Sequence, residues 1–325
     1  MIAPKKVVIT GASGRIGYQL VFLIAQGLLL GADQPIILCM LEKESNQQKC
    51  RGIQMELEDS IFPLLRAVHY THDLDCAFTG ADYVFFCGAK TCHDPKTRAL
   101  VQAENWEALT LQGETINRVC SHQTLFLMVA NPCNTNTLAL IKAAPNIPPM
   151  NFHSMMRLDL NRARQFIAEK AQCLSQDVEH MLIWGNHSPR VVPDWSHVKI
   201  MASPISLLVD NNWLSSHFIH AVQKRGMAIT QNMGLSSCAS AAYAAIEAMK
   251  ALIVPTAQNS FFCTGMYSSS NPFEFDQDLV FGLPCRTITR GVYEICEDYS
   301  PHPLLKELIK CSEAELLEER ARLKK

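Results

Sequence analysis

The sequence predicts an α/β fold, with a doubly wound parallel sheet in the first half and an α+β domain in the second. Three observations lead there. Short apolar runs alternate with amphipathic stretches, a glycine-rich turn follows the first run, and a proline-rich break, PNIPPMN (145–151), precedes a change to longer helices with β-like pieces between them. Apolar runs separated by helical stretches are what parallel strands with crossover helices require, because both faces of such a sheet are covered. We place the boundary so that residues 1–152 form the first domain and 153–325 the second.

The elements follow in chain order. KVVIT (6–10), PIILCML (35–41), DYVFFCGA (82–89) and TLFLMVAN (124–131) read as strands, and each ends at Gly, Asn or a charged residue. LVFLIAQGLLLG reads as a buried helix after the glycine turn. Beyond the break, LDLNRARQFIAEKA and the alanine-rich SSCASAAYAAIEAMKALI read as helices. HMLIWG (180–185), SFFCTGMYS (260–268) and DLVFGLPCRTIT (278–289) read as β-like, the last with proline and glycine interruptions. SEAELLEERARLKK spaces its leucines helically among charges and is expected to be a surface helix.

Composition narrows the function. With 325 residues, 48% apolar and 18% charged, the chain can bury a substantial core. A net charge of -2 without blocks of like charge gives no footprint for nucleic acid or a membrane surface, so a small molecule is the expected partner. The 13 cysteines are scattered and odd in number, and no N-terminal secretory pattern accompanies them; reduced thiols in the cytoplasm are expected. No apolar run approaches the roughly 20 residues that span a bilayer. Neither Cys-x-x-Cys nor His-Glu-x-x-His occurs, so no metal is expected.

ITGASGRIGYQL places Gly11, Gly14 and Gly17 directly after the first strand and at the start of a helix. That context suits a Rossmann-type dinucleotide site: a tight turn, backbone close enough to bond a pyrophosphate, and a helix N-terminus facing negative charge. Ordinary turn glycines are the simpler reading of the triplet alone. The second strand ends at Glu42, where a carboxylate accepts hydrogen bonds from an adenosine ribose and repels a 2′-phosphate. A solvated strand end is its plain alternative; with the glycines it favours NAD over NADP, against which the adjacent Lys43 counts slightly.

A second cluster lies in RLDLNRAR and IWGNHS. Asp159 and Arg162 stand three apart on a helix and share a face, and His187 follows a strand end. A histidine held by a carboxylate is an acid or base near neutral pH, and an arginine grips a substrate carboxylate bidentately. A surface ion pair and a turn histidine are the plain alternatives. Downstream of a dinucleotide loop, the three together suit hydride transfer.

GASGRIGYQL, MELEDSIFPLL, VANPCNTN, NFHSMMRLDLNRAR, IWGNHS and SSCASAA, in this order, resemble the malate dehydrogenases, specifically the cytosolic-type branch of the lactate/malate dehydrogenase superfamily. The resemblance runs from about residue 6 to about 290. It implies a cytoplasmic homodimer that transfers hydride reversibly between malate and oxaloacetate through NAD. It also implies that Gly11, Gly14 and Gly17 hold the pyrophosphate and Glu42 the ribose. Asn105, Gln112 and Val129 would line the nicotinamide side, and Asn131 would touch cofactor and substrate. His187 would exchange the proton, Asp159 would orient it, and Arg162 would grip the carboxylate beside the reacting carbon. One serine of Ser236–Ser237 would help shape the pocket.

The same resemblance makes GAKTCHDPKTRAL (88–100) a substrate lid, and here the chain departs from the family pattern. Gly88 and Arg98 match, but Cys92 stands where the family has an arginine for the distal carboxylate, and Pro95–Lys96 replace Gly-Met. Arg98 would polarise the carbonyl. Three readings of Cys92 stay open: a malate enzyme compensated by Lys90, His93, Lys96 or loop rearrangement; a neutral pocket for smaller or apolar 2-oxo acids; or a nucleophile beside His93. A catalytically idle NAD-binding relative is a further alternative.

Overall fold

The computed structural model describes residues 2–90 and 98–323, with the backbone alone for 98–100. The chain forms two compact units, Met1–Ser154 with Cys238–Lys250, and Met155–Ser237 with Ala251–Lys325.

The first unit carries the doubly wound sheet. Its strands are β1 (Lys5–Thr10), β2 (Ile36–Leu41), β3 (Leu65–Thr71), β4 (Tyr83–Phe86), β5 (Leu125–Met128) and β6 (Phe152–Ser154). They run parallel in the order β3-β2-β1-β4-β5-β6. The helices are α1 (Arg15–Ala25), α2 (Gln47–Asp59), α3 (Leu74–Phe78), α4 (Arg98–Val119) and α5 (Cys133–Ala143). The central strands are apolar throughout because helices cover both faces; Tyr83 to Phe86 and Leu125 to Met128 are all buried. Phe86, Phe126 and Phe152 continue the packing across three strands, the last pair stacked with centroids 4.5 Å apart.

Strand order reverses between β1 and β4, which start from the middle of the sheet toward opposite edges. Their carboxyl ends leave the crevice where open α/β sheets bind ligands. α1 buries Leu20, Val21 and Ile24 against β1, β2 and α2. The run LVFLIAQGLLLG is a buried helix only in part: Leu20, Val21, Ile24 and Leu29 are buried, and Leu28 is exposed. The helix itself stops at Ala25, since Gly27 takes φ +85° and turns the chain.

The second unit begins with α6 (Arg157–Ala171). It continues through β7 (Val178–Glu179), a hairpin of β8 (Leu182–Trp184) and β9 (Val192–Asp194), then β10 (Lys199–Ile200) and β11 (Ser203–Pro204). A π-helical turn, Trp213–Phe218, leads into α7 (Ile219–Met233). α8 (Ala239–Ile253) comes next in the chain and belongs, up to Lys250, to the first unit; back in the second, β12 (Phe262–Tyr267), β13 (Val280–Thr289) and β14 (Val292–Ile295) pair antiparallel. The closing helix, α9 (Lys306–Leu323), is more than a surface helix: Ile309, Ser312 and Leu316 are buried.

Candidate active site

In the first unit the glycine turn links β1 to α1, and its three glycines differ in what they allow. Gly11 sits at φ +65°, and a Cβ there would lie 2.4 Å from Gly88 Cα. A Cβ on Gly17 would lie 2.4 Å from the Gly11 carbonyl oxygen. These two let the strand ends and the helix pack backbone to backbone. Gly14 is tight only against that same oxygen, at 3.1 Å, and its amide donates to it at 3.0 Å. As the N-cap of α1, Gly14 supplies no side-chain acceptor, so the first-turn amides of the helix are left to solvent or an anion.

Glu42 follows β2 and is drawn to this turn. One carboxylate oxygen accepts from the Ser13 amide at 2.9 Å and its hydroxyl at 2.6 Å. The other accepts from the Lys43 amide at 3.2 Å and from Asn46 Nδ2 at 3.1 Å. Ser13 and Asn46 were not singled out from sequence, although Ser13 lies inside the quoted turn. The donor set suits a dinucleotide: close-packed glycines, open helix amides and a carboxylate fixed beside them.

Of the remaining cofactor candidates, Val129 and Asn131 follow the carboxyl end of β5, and Asn105 and Gln112 stand on α4. Val129 and Ala130 both donate their amides to Phe86 O at 2.9 Å, which fixes the chain leaving β5. Asn131 comes next and is exposed, while Asn136 holds the turn by donating Nδ2 to Ala130 O at 2.9 Å. On α4, Gln112 donates to Ala108 O at 3.2 Å, and its buried Oε1 has no hydrogen-bond partner among the described residues. Asn105 instead forms a reciprocal pair with the Lys90 backbone, Lys90 N to Oδ1 at 2.8 Å and Nδ2 to Lys90 O at 3.0 Å. The Lys90 ammonium is paired with Glu104. That pairing weakens Lys90 as a stand-in for the missing arginine. Cys92, His93 and Lys96 lie outside the described residues, as does the Arg98 side chain.

In the second unit, Asp159, Arg162 and His187 meet. Asp159 lies in the first turn of α6 and is 3% exposed, and its two oxygens have different partners. Oδ2 pairs with His187 Nδ1, and Oδ1 accepts from Arg162 Nη1 at 3.4 Å. Arg162 Nη2 donates to Ser237 Oγ at 3.1 Å, which picks Ser237 from the Ser236–Ser237 pair. Burial pulls the Arg162 guanidinium below its ordinary range, Arg225 pulls the same way, and Asp159 opposes both. Arg162 Nε is buried without a hydrogen-bond partner among the described residues. A guanidinium with an unmatched N–H can accept an anion, and a carboxylate fits its planar fork.

His187 owes its place to the turn after β8. Gly185 takes φ +86° and accepts from Gly282 N at 2.8 Å, joining that turn to β13. No group of three or more His, Cys, Asp or Glu side chains that could hold a metal occurs among the described residues. No helix among them is long and apolar enough to cross a membrane.

A lactate/malate dehydrogenase NAD-binding domain model matches residues 5–153, and the alpha/beta C-terminal domain model of the same family matches residues 156–325. The chain belongs to the lactate/malate dehydrogenase family. It is therefore an oxidoreductase of malate/lactate type with a Rossmann-type first domain. Among curated relatives, malate dehydrogenase of Protochlamydia amoebophila is 40% identical over 98% of this chain and 97% of its own. A chloroplastic NADP malate dehydrogenase of Sorghum bicolor is 42% identical over 97% of this chain and 73% of its own. The crystal structure of malate dehydrogenase from Naegleria fowleri superposes with a TM-score of 0.94 at 34% identity, covering 100% and 99% of the two chains. Trichomonas vaginalis lactate dehydrogenase, solved with NADH and oxamate, gives 0.92 at 29%, covering 98% and 97%. Relatives thus include enzymes named for either acid.

Proposed function

We propose that this family member is an NAD-dependent 2-hydroxy-acid dehydrogenase that interconverts malate and oxaloacetate, with His187 as acid and base. The observation that carries the proposal is the Asp159 carboxylate divided between His187 Nδ1 and Arg162. A carboxylate on Nδ1 fixes the ring tautomer and stabilises the imidazolium, so the proton exchanged with substrate moves at Nε2. Arg162 orients the acid through its carboxylate, leaving the carbon that bears the hydroxyl beside the histidine. In oxidation His187 takes the hydroxyl proton; in reduction it returns a proton to the carbonyl oxygen.

Gly11, Gly14 and Gly17 with the α1 N-terminus would hold the pyrophosphate, and Glu42 the ribose hydroxyls. Asn105, Gln112, Val129 and Asn131 would line the nicotinamide side. When bound, NAD accepts the hydride in one direction and NADH supplies it in the other. The Glu42 carboxylate favours NAD because it would repel a 2′-phosphate, even though some relatives are named for NADP. We also propose a cytoplasmic homodimer; the described cysteines stand as thiols, which suits a reducing compartment.

Cys92 favours a second reading, a dehydrogenase of another 2-oxo acid, because that position lacks the expected guanidinium. Initial rates of NADH consumption across oxaloacetate, pyruvate and bulkier 2-oxo acids separate the readings. Oxaloacetate turning over fastest supports the first, and a neutral acid turning over fastest supports the second. Absence of turnover on the whole panel contradicts both and leaves an idle NAD-binding relative. Cys92→Arg should raise kcat/KM for oxaloacetate by at least about 10-fold, the low end of what restoring a missing charge partner gives.

A further inference from the structure

The turn carrying His187 is tied to α9 on both sides of the histidine. Ser312 Oγ accepts from the Asn186 amide at 2.9 Å. One turn further along α9, Glu315 Oε2 accepts from Asn186 Nδ2 at 2.9 Å and from the Ser188 hydroxyl at 2.5 Å. One carboxylate oxygen therefore holds the residue before His187 and the residue after it. Arg190 Nε approaches the other oxygen at 3.9 Å.

The fit is close. Ser312 and Asn186 are 0% and 1% exposed, and a Cβ on Gly185 would lie 2.2 Å from Ser312 Oγ. Only glycine lets the chain turn against that serine. Asn186 Oδ1 is buried and has no hydrogen-bond partner among the described residues, so the orientation of its amide depends on the carboxylates facing Nδ2, chiefly Glu315, with Glu319 at 3.5 Å. The His187 ring is fixed independently at Nδ1 by Asp159. Backbone anchoring and ring anchoring together restrict both the position and the rotation of the imidazole.

We infer that Glu315 and Ser312 are positioning residues for proton transfer, holding the His187 turn from α9 without touching substrate. This rests on the reading of His187 as the acid and base. Hydrogen bonds to an ionised acceptor are about twice as strong as neutral ones. Loss of a catalytic group's placement by about 1 Å costs on the order of 10²-fold in rate. Glu315 should therefore act on the chemical step and leave substrate binding alone.

The test is steady-state kinetics on the full-length protein, with the 2-oxo acid that turns over best and NADH, alongside thermal melts. Glu315→Ala should lower kcat by about 10-fold or more with both KM values unchanged, the share of that placement carried by one clamp. Glu315→Gln keeps an oxygen acceptor at the same place but neutral, and should recover part of the loss. Ser312→Ala removes a single acceptor with little change of shape; it should lower kcat by less and supplies the answer should Glu315→Ala fail to fold. His187→Asn serves as the reference. If His187→Asn abolishes turnover while Glu315→Ala and Ser312→Ala leave kcat unchanged, the positioning role is overturned and the catalytic reading stands. If His187→Asn retains full turnover, the catalytic reading falls first. A rise in KM or a fall in melting temperature that accounts for the whole loss, without rescue by Gln, overturns the inference in favour of plain structural support.

Discussion

Asp159 does two things at once, and asparagine in its place can do only one of them. An amide facing His187 with its oxygen must face Arg162 with its nitrogen, repelling a guanidinium; reversed, it forces Nδ1 to accept and puts the proton on Nε2. Either way the catalytic nitrogen is misassigned or the carboxylate grip is lost. Asp159→Asn should therefore reduce kcat about 10²–10⁴-fold, the usual worth of positioned proton transfer, while the protein stays folded. Retention of wild-type kcat in that variant would remove Asp159 from the mechanism. Glu42 poses the corresponding question for the cofactor. Without its carboxylate, the ribose end keeps Ser13, Asn46 and the adjacent Lys43, all of which can donate to a 2′-phosphate. Glu42→Ser should raise the preference for NADPH over NADH by at least about 10-fold, because like-charge opposition costs several kcal/mol. An unchanged ratio of kcat/KM for the two cofactors would show that discrimination lies elsewhere. Asp159 and Arg162 could be read from sequence by their three-residue spacing on a helix, and His187 and Glu42 by their places after apolar strands. Ser13, Ser312 and Glu315 could not, because their contacts join segments far apart in the chain, and Asn46 could not because an asparagine four residues past a strand end is an ordinary turn residue.

At the scale of elements, the predicted strands fall where apolar runs are continuous, since burial on both faces leaves no polar position. β3 escaped notice for the opposite reason: LRAVHYT lies at the sheet edge, and none of its residues is fully buried. α9 was underestimated because its buried stripe includes Ser312, a residue that a hydropathy pattern counts as exposed. β6 makes a prediction of its own. Its His153 is 1% exposed, and burial lowers its pKa from 6.5 to about 3, opposed by a hydrogen bond to the Met150 backbone. The unfolded chain takes up a proton below pH 6.5 that the folded strand refuses. This contribution to stability is present in full above 6.5 and is lost progressively as pH falls toward about 3. From about pH 6.5 to about pH 5 the loss amounts to roughly 2 kcal/mol, at about 1.4 kcal/mol per unit. Denaturant unfolding at the two pH values should show His153→Phe losing less stability over this interval than the wild type by about that amount. Equal losses in the two proteins would mean that His153 is protonated, or accessible to protonation, in the folded strand.

For the whole molecule, both domain models and close structural relatives agree on a dehydrogenase family that includes enzymes named for malate and for lactate. To the family we add, as proposals, His187 as acid and base, Arg162 as the grip on an anion, Glu42 as the group that selects the cofactor, and the sequence position Cys92 as the one that decides the acid. The central claim is that hydride passes between a nicotinamide and the carbon next to a carboxylate. The most direct measurement is mass spectrometry of the product formed from a 2-oxo acid and NADH deuterated at the nicotinamide C4 position. Both C4-deuterated epimers should be supplied separately, so that the labelled hydrogen is the transferred one in one of them. The account predicts that one epimer delivers a single deuterium to C2 of the resulting 2-hydroxy acid and that His187→Asn abolishes the transfer. A hydroxy acid that carries no deuterium from either epimer, or consumption of NADH without any hydroxy acid, would contradict it.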